Sequence, residues 1–413
     1  MNKLQVKISL ILNYLVFAML LNSVGTVILQ VQGNYGISES SASVLEAFKD
    51  LSIAITSFLV ASFVLKIGYK KSMLAALGLV IIACLAMTQL PAFWMTKVLF
   101  AVTGISFALI KVSVFATIGI ITEDEKEHVS FMNFLESFFM IGITGGYFIF
   151  SYFVDDSDPT STSWLAVYYL LAALSAIAFL LMWITPLDES KVDEEEEPGQ
   201  SIDNIAGMLK LVIKPIVLIF VIAAFFYVLI EQGIMSWLPS FNSKILHLSN
   251  SLAIEMASIL AISSAAGRFL GGIVLKKVDW YKILPICLIA AGVLVFVILP
   301  LANPVGTEKI TSWSEAPFVA FMFPLIGLCL APVYPAINSV ILSSLPKKQH
   351  APMAGLIVVF SALGGTTGSM ITGYMFEHFD GKTAFSLSVI PIAIMLVVLF
   401  FFRRETKKVQ PHS

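Results

Sequence analysis

The chain has 413 residues, 58% of them hydrophobic and only 13% charged, with a formal net charge of −2. Soluble domains carry about 25% charged residues, so this composition excludes an ordinary water-soluble globular protein. Most of the apolar residues need a lipid bilayer as their solvent.

Taken in chain order, apolar stretches run over residues 8–31, 44–65, 72–90, 94–121, 129–153 and 164–186, then over 215–241, 251–275, 283–301, 316–343, 350–376 and 383–402. They are numbered here as spans 1 to 12. A helix needs about 20 such residues to cross the hydrocarbon region. A closed barrel also satisfies every backbone group in lipid, but its strands alternate apolar and polar residues over about 10 positions. These runs do not alternate, so the expectation is an all-α membrane protein with twelve transmembrane helices. Span 1 follows Lys3 and Lys7, yet it is too long for a signal peptide and no small-residue cleavage site closes it. It is read as a retained helix.

With the N-terminus inside, the cytoplasmic segments hold eighteen Lys and Arg residues, among them Lys3, Lys191 and Lys407, against four outside, Lys97, Lys244, Lys309 and Lys382. Basic loops are retained in the cytoplasm, which predicts a multi-pass protein of the inner membrane with both termini cytoplasmic. The acidic loop with Asp155, Asp156 and Asp158 then lies outside. Cys84, Cys287 and Cys329 fall inside spans without metal or disulfide spacing, and the five histidines do not cluster. No metal, cofactor or nucleic-acid partner is expected, and no nucleophile–base arrangement points to an enzyme.

Between spans 6 and 7 the composition changes to an acidic run, Asp188 to Glu197, with little apolar surface to bury. Residues 187–214 are read as a cytoplasmic linker, with a short interfacial helix over Ile202–Lys214 ahead of Pro215. This divides the chain into two six-helix bundles, 1–186 and 215–402, and a cytoplasmic tail, 403–413. Val64-Leu65-Lys66 ends span 2 ahead of Tyr69-Lys70, and Val274-Leu275-Lys276 ends span 8 ahead of Tyr281-Lys282. The same triplet at the same place in each half fits parallel repeats. Spans 3, 6, 9 and 12 contain no Asp, Glu, Lys, Arg or His, whereas spans 2, 4, 5, 7 and 8 carry charged residues. A charge in hydrocarbon costs at least about 2.5–3.5 kcal/mol, so charged spans face protein or a wet cavity and every third span faces lipid.

On these features the chain resembles the major facilitator superfamily over essentially its whole length. Lys66-Ile67-Gly68-Tyr69-Lys70-Lys71 resembles that family's basic loop between helices 2 and 3, with Leu65 where an Asp is usual, and Gly267-Arg268-Phe269-Leu270-Gly271-Gly272 its counterpart on helix 8. Within the superfamily the chain is most similar to the fucose:proton symporter group. The matching pieces are Glu231 to Leu238, Met132 to Phe138 and Pro332 to Asn338. The resemblance implies two pseudo-symmetric six-helix bundles, a small polar solute and a proton as coupling ion. It also implies a monomer that works by alternating access. Proton-coupled members of that group carry acids on helices 1 and 4, but span 1 here has none and span 4 carries Lys111. This departure points away from fucose and leaves an anionic solute open. Gly142, Gly145 and Gly146 of span 5 lack the proline of the antiporter pattern, which favours uptake over drug export.

Lys111 lies near the middle of span 4, as a solute ligand or as an ion-pair partner for an acid of span 2 or 5. Glu46, Lys49 and Asp50 share a face at the start of span 2 and are read as gating or structural charges, with Lys111 as a candidate to take their excess negative charge. Otherwise Glu46 sits at a wet rim. Asn133 and Glu136 fall on one face of span 5, and Glu231 with Gln232 on span 7 is the second acid near mid-membrane. A carboxylate isolated in apolar surroundings is suited to carry a proton, and Glu231 is the leading candidate for that role, unless Lys111 or Arg268 holds either acid ionised. Arg268 is a candidate closure residue on span 8, while Tyr334 and Asn338 lie beside Pro332 and Pro335, which open the ladder of span 10. Trp237 is a candidate solute contact; the other terminal tryptophans are interfacial anchors. The functional readings are a secondary transporter taking up a small polar solute such as a sugar or sugar derivative, a drug or metabolite exporter, and a non-transporting membrane receptor. The topology is testable by labelling single cysteines in intact cells: positions near Lys3, Lys191 and Lys407 are expected to be protected and Asp155 to Asp158 reactive. Labelling of the acidic linker from outside would reverse the assignment.

Overall fold

A computed structural model describes residues 3–122, 125–187, 189, 208, 210–303, 308–346 and 349–409. Most of the acidic linker, Lys191 included, lies outside the described residues, as does the expected interfacial helix apart from Met208 and residues 210–214. Eleven described helical segments are long and apolar enough to cross a membrane. The helix Glu39–Ile67, 29 residues and so about 43 Å long, completes the series as span 2. Among the described residues the one β pairing is an isolated parallel bridge between Leu248 and Ile310.

Several spans are broken where the sequence weakens the backbone ladder. Span 1 consists of Lys3–Asn22 and Val24–Tyr35 rather than one helix. There Asn22 Nδ2 donates to the Ala18 carbonyl (2.9 Å) and Ser23 Oγ to the Leu20 carbonyl (2.7 Å). Such local side-chain bonds compete with the helical ladder. Span 7 is split into Pro215–Met235 and Leu238–Lys244. Span 10 is split into Phe318–Met322, Ile326–Leu330 and Val333–Ser343, with Pro324 and Pro332 between the pieces. Each proline removes a backbone donor. The second helix of span 12, Val389–Val409, runs on through residues 403–409, which the sequence reading assigns to a tail. Arg403 holds this extension by pairing with Asp279 at 3.0 Å and lying 5.5 Å from the ring centroids of Trp280 and Tyr281.

The helices form two compact units, Met1–Val24 with Phe48–Asp203, and Gly25–Ala47 with Asn204–Ser413. In the first unit, span 1 packs on spans 4, 5 and 6, and span 3 on spans 4 and 6. In the second, span 7 packs on spans 10, 11 and 12, and span 9 on spans 10 and 12. Adding six to each span number carries one set of pairings onto the other, the signature of two pseudo-symmetric bundles. The closest approaches repeat as well. Gly142 and Gly146 of span 5 meet Leu15, Ala18 and Met19 of span 1, and a Cβ on Gly142 would lie 2.7 Å from that of Ala18. Gly364 and Gly368 of span 11 meet the Phe225 and Leu229 carbonyls of span 7. Small residues four apart let two helix backbones touch where no hydrophobic force drives them together.

The packing units differ from the six-and-six division in one place: Gly25–Ala47, from the end of span 1 to the start of span 2, packs within the second unit. A Cβ on Gly25 would lie 2.8 Å from the Ser236 carbonyl oxygen. The Ser40 N–H donates to Glu377 Oε2 at 2.9 Å, and Lys244 pairs with Glu39 while donating to Gln32. Elsewhere the spans without charges expose large apolar side chains, including Ile82 on span 3, Leu180 on span 6, Phe296 on span 9 and Val397 on span 12. In the loop after span 5, the Thr160 hydroxyl and N–H hold the Asp158 carboxyl below the usual carboxylate range.

Substituting Gly368→Val is expected to destabilise the protein by about 1–3 kcal/mol through overpacking against span 7. Gly145, which has nothing within 4 Å of a built Cβ, should accept alanine without loss. Thermal melting in detergent compares the two; equal melting temperatures would refute the close-packing account.

Candidate functional site

Lys111 is the central group of the first unit. It stands 18 residues, or about 27 Å, along the helix Phe93–Ile121, where a charge must have a reason to be. Its Nζ lies 6.0 Å from the Phe107 ring centroid and 5.9 Å from that of Phe115, the residues one turn before and after it. Tyr14 of span 1 joins them, its ring centroid 6.4 Å from Phe107, 6.2 Å from Phe115 and 5.6 Å from Phe139. The Tyr14 hydroxyl is buried and makes no hydrogen bond among the described residues. Lys111 and Glu136 are both exposed and interact electrostatically, but not in contact. Among the described residues no carboxylate lies within 4.0 Å of Lys111 and no cation within 4.0 Å of Glu136.

The expected pairing of Lys111 with the acids of span 2 is therefore corrected. Glu46 is fully buried, not at a wet rim, and accepts from Ser236 Oγ at 2.7 Å within the second unit. Lys49 and Asp50 are buried in the first unit and lie 3.4 Å apart. Asn133 lines a hollow of about 350 Å³ together with Lys7, Glu127 and Phe131. Lys7 pairs with Glu127 there at 2.7 Å.

In the second unit the charges are tied together. The Tyr227 hydroxyl donates to Glu231 Oε1 at 2.9 Å, and Arg268 Nη2 lies 3.8 Å from the same oxygen. Arg268 thus engages Glu231 of its own unit, rather than serving only a helix closure. Tyr227 stacks on Tyr334 with ring centroids 5.2 Å apart, and the Tyr334 hydroxyl shares a 2.6 Å hydrogen bond with Ser361. Asn338 stands beside that hydroxyl. Gln232, half-buried, makes no side-chain hydrogen bond among the described residues. Trp237 is a correction: it has no exposed surface, its N–H donates to the Ser369 carbonyl at 3.0 Å, and its ring packs on Phe376. In this conformation it presents no face to a solute.

Sequence reasoning missed Tyr14, Phe107 and Phe115. The two phenylalanines are four residues on either side of Lys111, so the helical period does carry that signal. Tyr14 carries none, because its role depends on how span 1 meets span 4.

Twelve apolar helices in two repeated bundles, with charges confined to the spans that pack inward, define a multi-pass membrane transporter. The profile of the Major Facilitator Superfamily matches residues 9–314 and 309–413, and the chain belongs to that superfamily, whose members are transporters rather than enzymes. Its fold is similar to that of a D-xylose–proton symporter (TM-score 0.75, 14% identity, 98% of each chain) and of the nucleoside transporter NupG (TM-score 0.72, 16% identity, 98% of this chain and 100% of that one). The Escherichia coli fucose:proton symporter also shares the fold, with a TM-score of 0.61 at 15% identity, over 95% of this chain and 97% of that one. A glycerol-3-phosphate transporter of Haemophilus influenzae is 25% identical over 177 residues, 41% of this chain and 37% of that protein. The matched stretch thus spans little more than a third of that relative.

Trp237→Phe keeps an aromatic side chain but removes the N–H donor and part of the buried ring volume. It is expected to cost about 1–3 kcal/mol of stability, because a fully buried side chain loses packing and a hydrogen bond, and to leave the KM for uptake unchanged. Thermal melting and initial-rate uptake on the same preparation check this; a raised KM at normal stability would return Trp237 to the solute surface.

Proposed function

We propose that this chain is a secondary active transporter that takes up a small polar solute, a sugar or sugar derivative, across the inner membrane in symport with a proton. The observation that carries this reading is the Lys111 and Glu136 arrangement: two opposite charges in mid-bundle, accessible and not in contact with each other. A structural pair would be in contact, since leaving both charges apart in a transmembrane bundle forfeits the attraction that offsets their desolvation. Groups left open in this way suit a visiting solute. The relatives named above handle xylose, nucleoside, fucose and glycerol 3-phosphate by their descriptions, all polar solutes, and the intramembrane acids Glu46, Asp50, Glu136 and Glu231 argue against a pocket for hydrophobic drugs. Both termini are cytoplasmic in this reading, and the protein acts as a monomer.

Transport proceeds by alternating access. Residues 25–47 are held to the second unit by polar contacts at Ser40, Glu39 and Glu46, and releasing that segment is the step that opens one side. Joining Ser40→Cys to Glu377→Cys with a short thiol-specific cross-linker is expected to abolish uptake in proteoliposomes, and cleaving the linker to restore it. Full flux through completely cross-linked protein would rule this mechanism out.

A further inference from the structure

Apart from Lys111 and Glu136, the mid-bundle charges have their partners within the protein. Glu46 has Ser236, Lys49 has Asp50, and Glu231 has Tyr227 and Arg268. Around Lys111 the protein offers ring faces, which stabilise a cation without neutralising it and without occupying its N–H donors. Those donors therefore remain available. A neutral sugar is held by many side-chain donors and acceptors, because each buried hydroxyl left unmatched counts against binding. The rings beside Lys111 are those of Phe107 and Phe115, and Tyr14 and Phe139 lie next to these. They bring one hydroxyl between them, that of Tyr14, buried and unbonded.

This surrounding suits a ligand with one concentrated charge and a carbon face. Lys111 is the donor, and the half-buried rings of Phe107, Phe115 and Phe139 take the carbon skeleton. Glu136 then becomes informative. An anion seated on Lys111 places a second negative charge near a carboxylate that has no cation in contact, so anion binding favours the protonated carboxyl. By linkage, the proton equally favours the anion. Glu231, with Arg268 3.8 Å away, would give up that attraction on taking a proton.

We infer that the solute carries an acidic group, a carboxylate or a phosphate monoester, which binds Lys111, and that it enters together with a proton on Glu136. The inference rests on the transport reading above and deepens it.

The test compares matched probes on the purified full-length protein: D-galactose against D-galacturonate, and glycerol against glycerol 3-phosphate. Each acidic probe that fits is expected to raise the melting temperature where its neutral partner does not, and the two pairs separate carboxylate from phosphate recognition. The effect should weaken from about 50 to about 500 mM salt, as contact between accessible charges does. Lys111→Met should lose roughly ten- to hundredfold in affinity, the scale of a charge-assisted hydrogen bond, with Lys111→Arg recovering part of it. In lightly buffered solution, binding should take up a proton, and Glu136→Gln should bind without that uptake. Stabilisation by the neutral probes alone overturns the inference and leaves the transport reading standing. Undiminished anion binding by Lys111→Met, or anion binding by the wild type without proton uptake, also overturns it. If neither class binds and proteoliposomes move none of the four, the transport reading for this solute class falls as well.

Discussion

A charge taken into the hydrocarbon region has to be answered by a partner, a ring face or water, and the cost of leaving it unanswered is several kcal/mol. That constraint accounts for most of the internal organisation of this protein. Buried Glu46 draws Ser236 to it at 2.7 Å, so the beginning of span 2 becomes part of the second unit. Buried Lys49 and Asp50, only three and four residues further on, answer each other in the first unit. One helix is thereby held by polar contacts in both compact units, with the boundary falling between Ala47 and Phe48.

Close helix packing supplies the other half of the architecture. Because lipid is as apolar as leucine, helix pairs gain little from burying apolar surface and depend on contact distance instead. Gly142 with Gly146 on span 5 and Gly364 with Gly368 on span 11 provide that contact at corresponding places in the two bundles. The same glycines that resembled an incomplete antiporter pattern thus have a local mechanical role: Gly142 lets span 5 lie on Leu15 and Ala18, one turn or less from Tyr14. The backbone fit fixes the span on which Tyr14 stands, and so the aromatic box around Lys111.

Much of this was legible in the amino-acid order, for identifiable reasons. Helix positions follow from apolar run length, which needs no tertiary information, and the lipid-facing role of spans 3, 6, 9 and 12 follows from the energy of charges in lipid. Phe107, Lys111 and Phe115 could be read from the helical period. The break at Ser23, the Glu46–Ser236 bond and the enclosure of Trp237 could not. The last two depend on a neighbour far away in sequence, Ser236 being 190 residues from Glu46 and Ser369 132 from Trp237, while the break at Ser23 rests on side-chain bonds to the Ala18 and Leu20 carbonyls that apolar run length does not signal. Local pattern says that a polar group is present in a span, but only packing says what answers it. Trp237 shows the error this invites, since a tryptophan near a helix end with a donor to spare is indistinguishable in sequence from one whose donor is already used.

The contrast between the two units follows from the same accounting. In the second unit, Glu231 is bonded to Tyr227, within 4 Å of Arg268, and linked through stacked Tyr227 and Tyr334 to Ser361. Such a network gains from every member being satisfied and resists removal of any one. In the first unit, Lys111 and Glu136 sense each other without contact, an arrangement that gives up direct attraction and keeps both groups responsive to whatever enters. A carboxylate beside a cation gives up that attraction when it takes a proton, whereas one with no cation in contact gives up none. On that ground the proposed proton carrier is Glu136 rather than Glu231, although Glu231 is the more conspicuous carboxylate in the sequence, and the proposal orders the two candidates by their partners rather than by their depth.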